Sequence, residues 1–212
     1  MTTRRTLLRS AGGLVLAAPA IVRAQPAWPA RPITIVVNFP PGGLTDGIAR
    51  AFGQHVQQAT GQQVIIDNKP GASGNIGAAL VARSPADGYT FLHSVSGTLV
   101  QNRVLFKSPG FDPDKDFTIV SGTPSGLIPA VVHKSVPATN LKEFVEFARG
   151  NKVNFGSWAI GSAAHIFAQA LNDKFGRKIE VVNYKGEAPM WQDMGAGSLQ
   201  AAMGSPQAMN AL

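Results

Sequence analysis

Short apolar runs alternate with helix-like patterns along the chain from residue 33 onward. Seven runs rich in β-branched and aromatic residues predict strands at 33–39, 63–67, 89–95, 129–133, 153–157, 179–184 and 199–203. Between most of these runs, apolar residues recur three and four positions apart, which predicts helices. Strands that alternate with helices are typical of an α/β fold with largely parallel sheets.

The first predicted helix begins near Thr45 and ends at Gly61, a residue type that readily adopts the left-handed conformation found just after helix ends. Its expected buried stripe consists of apolar residues at helical spacing: Ile48, Phe52, Val56 and Ala59. Further helices are predicted from residue 76 to just before Pro85, at 162–175 and at 187–194.

A second clear helix start lies at Asn140 and Glu143, which are spaced as in a capping box. The residues at i, i+3, i+4 and i+7 are all apolar and predict one buried face: Leu141, Phe144, Val145 and Ala148. Upstream of this helix, the Pro/Gly-rich segment 122–126 separates two α/β units. We therefore predict a first lobe at 25–123 and a second lobe at 124–212.

Residues 1–24 have the features of an export signal. Arg4 and Arg5 form a twin-arginine-like doublet, the apolar run 11–21 is too short to span a bilayer, and Ala24 ends a small-residue cleavage pattern. The mature chain then begins near Gln25 in the periplasm, with no membrane insertion expected. The doublet is compatible with either the twin-arginine or the general secretory route.

Composition narrows the choice of partners. The chain of 212 residues has a net charge of +7, but four basic residues and no acidic one lie in the predicted signal, which leaves +3 for the mature part. No Lys/Arg run or basic stripe supports nucleic-acid binding, whereas a mild positive balance suits small acidic ligands. The absence of cysteine excludes disulfides and thiolate chemistry.

The segment 39–46, Phe-Pro-Pro-Gly-Gly-Leu-Thr-Asp, is called the first loop here. It joins a predicted strand to a predicted helix, and its two glycines allow a sharp turn that brings backbone N–H groups close to an anion. It lacks the Lys-Ser or Lys-Thr of a P-loop and the Gly-x-Gly-x-x-Gly fingerprint, so a carboxylate is at least as good a candidate as a phosphate. The alternative is a tight turn in which Thr45 or Asp46 caps the helix.

The segment 156–162, called the second loop here, repeats this arrangement with Gly-Ser-Trp-Ala-Ile-Gly-Ser. Ligands of α/β proteins bind beyond the carboxyl ends of the strands, where both loops are expected to lie. Ser162 is either a helix cap or a ligand donor, and His165 either donates to an anion or is an ordinary packed or surface histidine. Lys185 either attracts an anion or is a solvated loop residue.

Residues typical of an enzyme or a metal centre are missing from the sequence. There is no Gly-x-Ser-x-Gly elbow, no cysteine and no His-Glu-x-x-His motif, and the four histidines are scattered. We therefore expect no catalysis, no cofactor and no metal. A hydrolase that depends on His165 stays as an alternative.

Several motifs occur together in one order along the mature chain. They are Arg-Pro-Ile-Thr-Ile-Val-Val at 31–37, the first loop, Asn-Lys-Pro-Gly-Ala-x-Gly-x-Ile-Gly at 68–77, Asp-Gly-Tyr-Thr at 87–90, Gly-Ser-x-x-His at 161–165 and Tyr-Lys-Gly-x-Ala-Pro at 184–189. In these motifs the chain resembles the Bug-type substrate-binding proteins of tripartite tricarboxylate transporters. The resemblance implies a two-lobed periplasmic binding-protein fold that closes over a small carboxylate-bearing solute.

The resemblance also implies a set of ligand-binding residues in both lobes. In the first lobe they are Pro41, Gly42, Gly43, Thr45, Asp46, Ser94, Ser96 and Gly97. In the second lobe they are Gly161, Ser162, His165, Tyr184, Lys185 and Gly186. Membrane permease subunits are the implied partners. The alternative partner is a sensor kinase, for which the chain would act as an extracytoplasmic ligand-sensing module.

The chain departs from the family pattern at a few points. Ala159 stands where a glycine is usual, Trp158 replaces a smaller residue, and Met-Gly-Ser-Pro at 203–206 replaces an expected aspartate. Members of the family also continue for roughly another half of this mature length. We therefore expect a binding-protein fold that is incomplete at the C-terminus.

Overall fold

The alternation of strands and helices builds two sheets, one after the other along the chain. The computed structural model describes residues 27–123 and 126–210, so the export signal predicted for residues 1–24 lies outside the described residues. The first sheet contains β1 (Ile33–Val37), β2 (Val64–Asn68) and β3 (Thr90–His93). Its strand order is β2-β1-β3, and both pairings are parallel.

Helices connect the strands of the first sheet. They are α1 (Leu44–Thr60), α2 (Asn75–Ala82) and, after β3, a π-helix at Gly97–Gln101 that runs into the single turn α3 (Asn102–Leu105). The central strand β1 has its residues Ile33, Val36 and Val37 almost fully buried. The π-helix and α3 have no counterpart among the elements predicted from the sequence.

The second sheet is formed by four strands: β4 (Ala130–Val132), β5 (Val153–Ser157), β6 (Ile179–Asn183) and β7 (Ala201–Met203). The order is β4-β7-β5-β6, with β5 parallel to both neighbours and β4 antiparallel to β7. Its helices are α4 (Leu141–Gly150), α5 (Ala163–Phe175), α6 (Glu187–Gly195) and α7 (Pro206–Asn210).

The two sheets confirm the α/β class. Each sheet falls within one of the lobes predicted at 25–123 and 124–212, a division that stays a prediction. Among the described residues, no helix is both long enough and apolar enough to cross a membrane.

The buried face of α1 differs from the predicted stripe. Phe52 is 41% exposed, whereas Ala49 and Gly53 are buried and face the sheet. A Cβ atom at Gly53 would lie 3.1 Å from side-chain atoms of Val64 and Ile66 on β2. The stripe prediction was wrong at Phe52 and Ala59, which are exposed, whereas Ile48 and Val56 are half-buried. The helix approaches the sheet through its smallest residues, which bring the two backbones close together.

The start of α4 confirms the capping prediction. The Asn140 side chain accepts a hydrogen bond from the Glu143 N–H at 3.0 Å, and the Glu143 carboxylate accepts from the Thr139 N–H at 2.7 Å. Phe144 and Val145 pack into the core of the second sheet around Phe155 of β5. This core is formed mainly by β5 and the helices α4 and α5.

Candidate functional site

The first loop leaves β1 at its carboxyl end and enters α1 through two glycines. Gly42 has φ +86°, in the left-handed region that glycine adopts without strain. Gly43, the N-cap of α1, has φ −85° and ψ 173°, an extended conformation open to any residue. The sharp turn predicted from the two glycines therefore depends on Gly42 alone, because only Gly42 requires the conformational freedom of glycine.

Asp46 holds the first loop in place from within α1. Its carboxylate is buried, and it accepts hydrogen bonds from the Gly42 N–H at 3.0 Å, Arg50 Nε at 2.9 Å and Asn68 Nδ2 at 3.0 Å. Burial alone would raise the pKa of Asp46, but the hydrogen bonds from Arg50, Gly42 and Asn68 outweigh it and lower the pKa below its ordinary value. The Gly42 N–H is thus already engaged, and Asp46 serves as a brace.

The second loop has the same type of brace. Gly161 has φ +76°, and its N–H donates to Nδ1 of His165 at 3.1 Å, so this ring nitrogen is an acceptor. Ser162 is the N-cap of α5, and its hydroxyl accepts a hydrogen bond from the His165 N–H at 3.3 Å. The cap predicted for Ser162 is therefore confirmed, and His165 is tied to the loop rather than left free.

Two buried hydroxyl groups complete the second loop. The Ser157 hydroxyl at the end of β5 lies 2.9 Å from that of Ser162 and donates to the Ala159 carbonyl at 2.8 Å. Sequence reasoning missed Ser157 because a serine at a strand end is common. Ala159 has no left-handed φ, so alanine fits without strain at the position where a glycine is usual.

The second loop borders one narrow cleft, to which the first loop contributes Phe39. Its lining comes from the ends of β1 and β5, the 3₁₀ turn Ala72–Gly74, the π-helix and the second loop: Phe39, Ser73, Thr98, Asn102, Trp158 and Ile160 are examples. The Ser73 hydroxyl donates to the Ile160 carbonyl across the cleft at 3.3 Å. The cleft encloses about 20 Å³, far below the ~300 Å³ at which ligand pockets usually begin.

Strained backbone forms one wall of this cleft. Ala72 and Ser73 have φ 48° and 54°, a conformation that L-residues seldom adopt. The Ser73 carbonyl is held by hydrogen bonds from Asn102 Nδ2 at 3.0 Å and Thr98 Oγ1 at 3.1 Å. Sequence reasoning missed this set. The available signal was Asn38, a polar residue at the end of an apolar run, whose amide donates to the Gly74 carbonyl at 3.1 Å.

The predicted residues after β3 are divided between two environments. Gly97 lines the cleft, whereas Ser96 is exposed and precedes the π-helix. Ser94 accepts a hydrogen bond from Asn38 Nδ2 at 2.9 Å and so belongs to the support of the wall. Pro41 is exposed and Thr45 is half-buried at the start of α1. The ligand contacts expected of these residues stay predictions.

The turn formed by residues 184–186 contacts the first loop only at its last residue, Gly186. The Tyr184 hydroxyl donates to Asp193 at 2.6 Å, and burial together with this carboxylate raises the pKa of Tyr184 far above its ordinary value. Lys185 is exposed. Gly186, with φ +135°, packs so closely on Pro40 that a Cβ atom there would lie 2.6 Å from the proline ring.

Glu187, which the sequence analysis did not single out, joins the two halves at this point. Its carboxylate accepts hydrogen bonds from the Leu44 N–H at 3.2 Å and from the Ser205 hydroxyl at 2.6 Å. Ser205 is buried and lies in the 203–206 segment, where an aspartate was expected. Trp158, which stands where the family has a smaller residue, lines the cleft and packs against the cores on both sides of β5.

Within residues 27–123 and 126–210, no three His, Asp or Glu side chains are grouped to hold a metal ion. The only predicted candidate for general-base chemistry, His165, is tied to the Gly161 backbone. The carboxyl ends of β1 and β5, from two α/β sheets, thus meet at one cleft, which is where two-lobed α/β proteins bind their ligands.

Comparison with known proteins agrees with this class. The family model described as "Tripartite tricarboxylate transporter family receptor" matches residues 48–211, a range that contains the second loop and begins just after the first. The chain belongs to this receptor family. BugT of Bordetella pertussis is 33% identical over 201 residues, which cover 92% of this chain and 62% of BugT, so the resemblance to Bug-type proteins is confirmed.

Two solved structures are also similar. "R. palustris Rpa4515 with adipate" has 37% identity and a TM-score of 0.80, and the match covers 84% of this chain and 60% of that protein. MatC from Rhodopseudomonas palustris, with bound malate, has 29% identity and a TM-score of 0.67 over 83% of this chain and 60% of MatC. The chain thus spans about 60% of the length of these relatives.

Proposed function

We propose that this chain is a periplasmic receptor that captures a small carboxylate-bearing solute between its two lobes for a tripartite tricarboxylate-type transporter. The observation that carries the proposal is a cleft lined by Phe39 of the first loop and by Trp158 to Ser162 of the second loop, whose braced glycine turn stands at the N-terminus of α5. Membership in the receptor family and the adipate and malate in two similar structures support the carboxylate class.

The two loops have different tasks in this proposal. Gly43 offers no side-chain cap, so the first-turn N–H groups of α1 and its dipole are directed toward an anion. Ser162 already caps α5, so the second loop mainly shapes the cleft, with Trp158 as an apolar wall. Backbone donors hold the carboxylate, and the side chains that line the cleft select the rest of the solute.

A binding experiment with a matched neutral analogue tests this function. The purified protein is titrated by calorimetry with adipate, malate and a wider set of mono-, di- and tricarboxylates, and with adipamide as the uncharged counterpart of adipate. We expect saturable binding of at least one dicarboxylate and none of the diamide. Equal binding of adipate and adipamide, or no binding of any carboxylate, would contradict the proposal.

The compartment is tested at the N-terminus of the exported protein. We expect the mature chain in a periplasmic extract to begin at Gln25, as determined by N-terminal sequencing. Replacing Arg4 and Arg5 with lysine is expected to retain the protein in the cytoplasm if it uses the twin-arginine route. Unchanged export of this variant would assign it to the general secretory route, and absence from the periplasm of both forms would overturn the localisation.

A further inference from the structure

Glu187 makes a carboxylate contact between regions that are distant in sequence. Its Oε2 atom accepts hydrogen bonds from the Leu44 N–H at 3.2 Å and the Ser205 hydroxyl at 2.6 Å, while Oε1 accepts from the Ser205 N–H at 2.8 Å. Leu44 is the first residue of α1, and Glu187 is the first residue of α6, 143 positions later. One side chain thus joins the helix start beside the first loop to the second lobe.

The Leu44 N–H is the type of donor that the proposed function assigns to a solute. It belongs to the first turn of α1, where backbone donors lack partners within the helix and the helix dipole favours negative charge. The N-cap Gly43 has no side chain to satisfy these donors. Glu187 therefore presents to α1 the same chemical group, a carboxylate, that a solute would present.

The surroundings of Glu187 keep the two regions in contact. Gly186 packs on Pro40. A Cβ atom added at Gly42 would lie 3.6 Å from the Cβ atom of Ala188. A solute carboxylate reaches the Leu44 N–H only by displacing Glu187, so we expect the first loop and the turn at 186–188 to separate when it binds.

We propose that Glu187 is an internal competitor for the solute: it binds the N-terminus of α1, holds the first loop against the turn at 186–188, and sets the affinity that a solute carboxylate must exceed to displace it. This inference rests on the proposed function, because it concerns the same donors. The protein exchanges between a state in which Glu187 binds the N-terminus of α1 and a state in which this contact is broken. The solute binds the second state, so the Glu187 contact lowers its apparent affinity.

Substitutions of Glu187 separate competition by contact from a general charge effect. Glu187→Gln removes the charge, whereas Glu187→Asp keeps the charge but shortens the reach to Leu44. Both are expected to raise the affinity for a dicarboxylate, measured by calorimetry with adipate and malate, by about tenfold. Glu180→Gln, at an exposed glutamate on β6 that pairs with Lys152 at 3.3 Å, is the matched control with unchanged affinity.

A second measurement determines the distance between α1 and α4 in the absence of a solute. Because the chain has no cysteine, single cysteines introduced at the exposed Gln58 of α1 and Lys142 of α4 carry the only two spin labels. We expect Glu187→Gln and Glu187→Asp to lengthen the label-to-label distance of the ligand-free protein, while Glu180→Gln leaves it unchanged.

Each outcome decides between the proposals. Unchanged distances in both Glu187 variants, or a lower affinity that would make Glu187 a direct ligand contact, would overturn the inference. A rise in affinity for Glu187→Gln alone would reduce its role to charge and also overturn it. If no carboxylate binds to the wild-type protein or to any variant, the proposed function fails and the competition with it, whatever the distances show.

Discussion

The first and second loops solve the same geometrical problem with different chemistry. In each, a left-handed glycine donates its N–H to a side chain four residues later, in the first turn of the following helix. The brace of the first loop is the buried Asp46 carboxylate, which Arg50 and Asn68 also bind. The brace of the second loop is the His165 imidazole, supported by the Ser162 cap.

The difference between the loops teaches which of them is suited to hold an anion. The second loop satisfies its helix N-terminus with its own serine, whereas the first loop leaves these donors to a group from elsewhere. In the structure that group is Glu187. The N-terminus of α1 has a partial positive charge, and the Asp46 carboxylate fixes its position. The anion bound to this helix start can therefore exchange for another one.

The largest expected difference between the loops concerns their braces. Asp46→Ala leaves the Gly42 N–H, Arg50 and Asn68 without their shared partner, and we expect it to lower the free energy of unfolding by about 2–4 kcal/mol. His165→Ala removes a single hydrogen bond and is expected to cost about 1 kcal/mol. Urea denaturation measures both, with Asp173→Ala at an exposed site of α5 as the control. Equal losses for the two brace variants would refute the asymmetry.

Substitutions of the glycines that start the two turns should lower the free energy of unfolding less than Asp46→Ala does. Gly42→Ala and Gly161→Ala each force alanine into a left-handed conformation, at about 1–2 kcal/mol. Gly161→Ala is expected to be the worse of the two, because its Cβ atom would also collide with Leu105. In the Leu105→Ala background, Gly161→Ala should lose its additional destabilisation relative to Gly42→Ala. The midpoint of thermal unfolding measures this difference.

Gly150→Ala is the control for both glycine variants, because nothing lies within 4 Å of its added Cβ atom and its φ is not left-handed. We expect its unfolding free energy to stay within about 0.5 kcal/mol of the wild type. Wild-type stability of Gly42→Ala would show that the first loop tolerates another backbone conformation.

A smaller effect is expected from the pH dependence of the brace in the first loop. The pKa of Asp46 lies below its ordinary value of 3.8 in the folded protein, so its ionised form stabilises the fold at higher pH. This contribution is complete above the unfolded value and is lost as the pH falls through the folded one. The gap in unfolding free energy between wild type and Asp46→Asn should therefore narrow below about pH 4. A gap independent of pH would contradict the assignment.

The smallest effect on stability is expected from exchanging the caps. Gly43→Ser gives the first loop the cap that the second loop has, and Ser162→Gly does the reverse, each with a change of a few tenths of a kcal/mol. Their effects on solute binding should differ: Gly43→Ser competes for the donors of α1 and weakens carboxylate affinity severalfold, while Ser162→Gly changes it less. Calorimetry with adipate measures both, and a stronger loss in Ser162→Gly would transfer the anion site to the second loop.

The sequence predicts the frame of this molecule well because periodicity and caps are local properties. Strand β5 occurs at the predicted residues, and Gly61 ends α1 in the left-handed conformation. The buried face of α1 could not be predicted in this way, since the choice between Phe52 and Gly53 depends on how closely β2 approaches. The predicted stripe assumed that larger apolar residues face inward.

The candidate site shows the same limit. The glycine turns and the Ser162 cap follow from short motifs, whereas the contact of Glu187 with Leu44 links residues 143 positions apart. The strained conformation of Ala72 and Ser73 likewise depends on Thr98 and Asn102, from a π-helix that the apolar pattern did not indicate. Contacts of this kind depend on tertiary packing.

The hydroxyl pair of Ser157 and Ser162 has a consequence for evolution. These side chains fix the backbone of the second loop from its buried side, so the loop's shape does not depend on the half-exposed Ile160. Residue 160 is then free to change under selection for a new solute without loss of the turn that presents it.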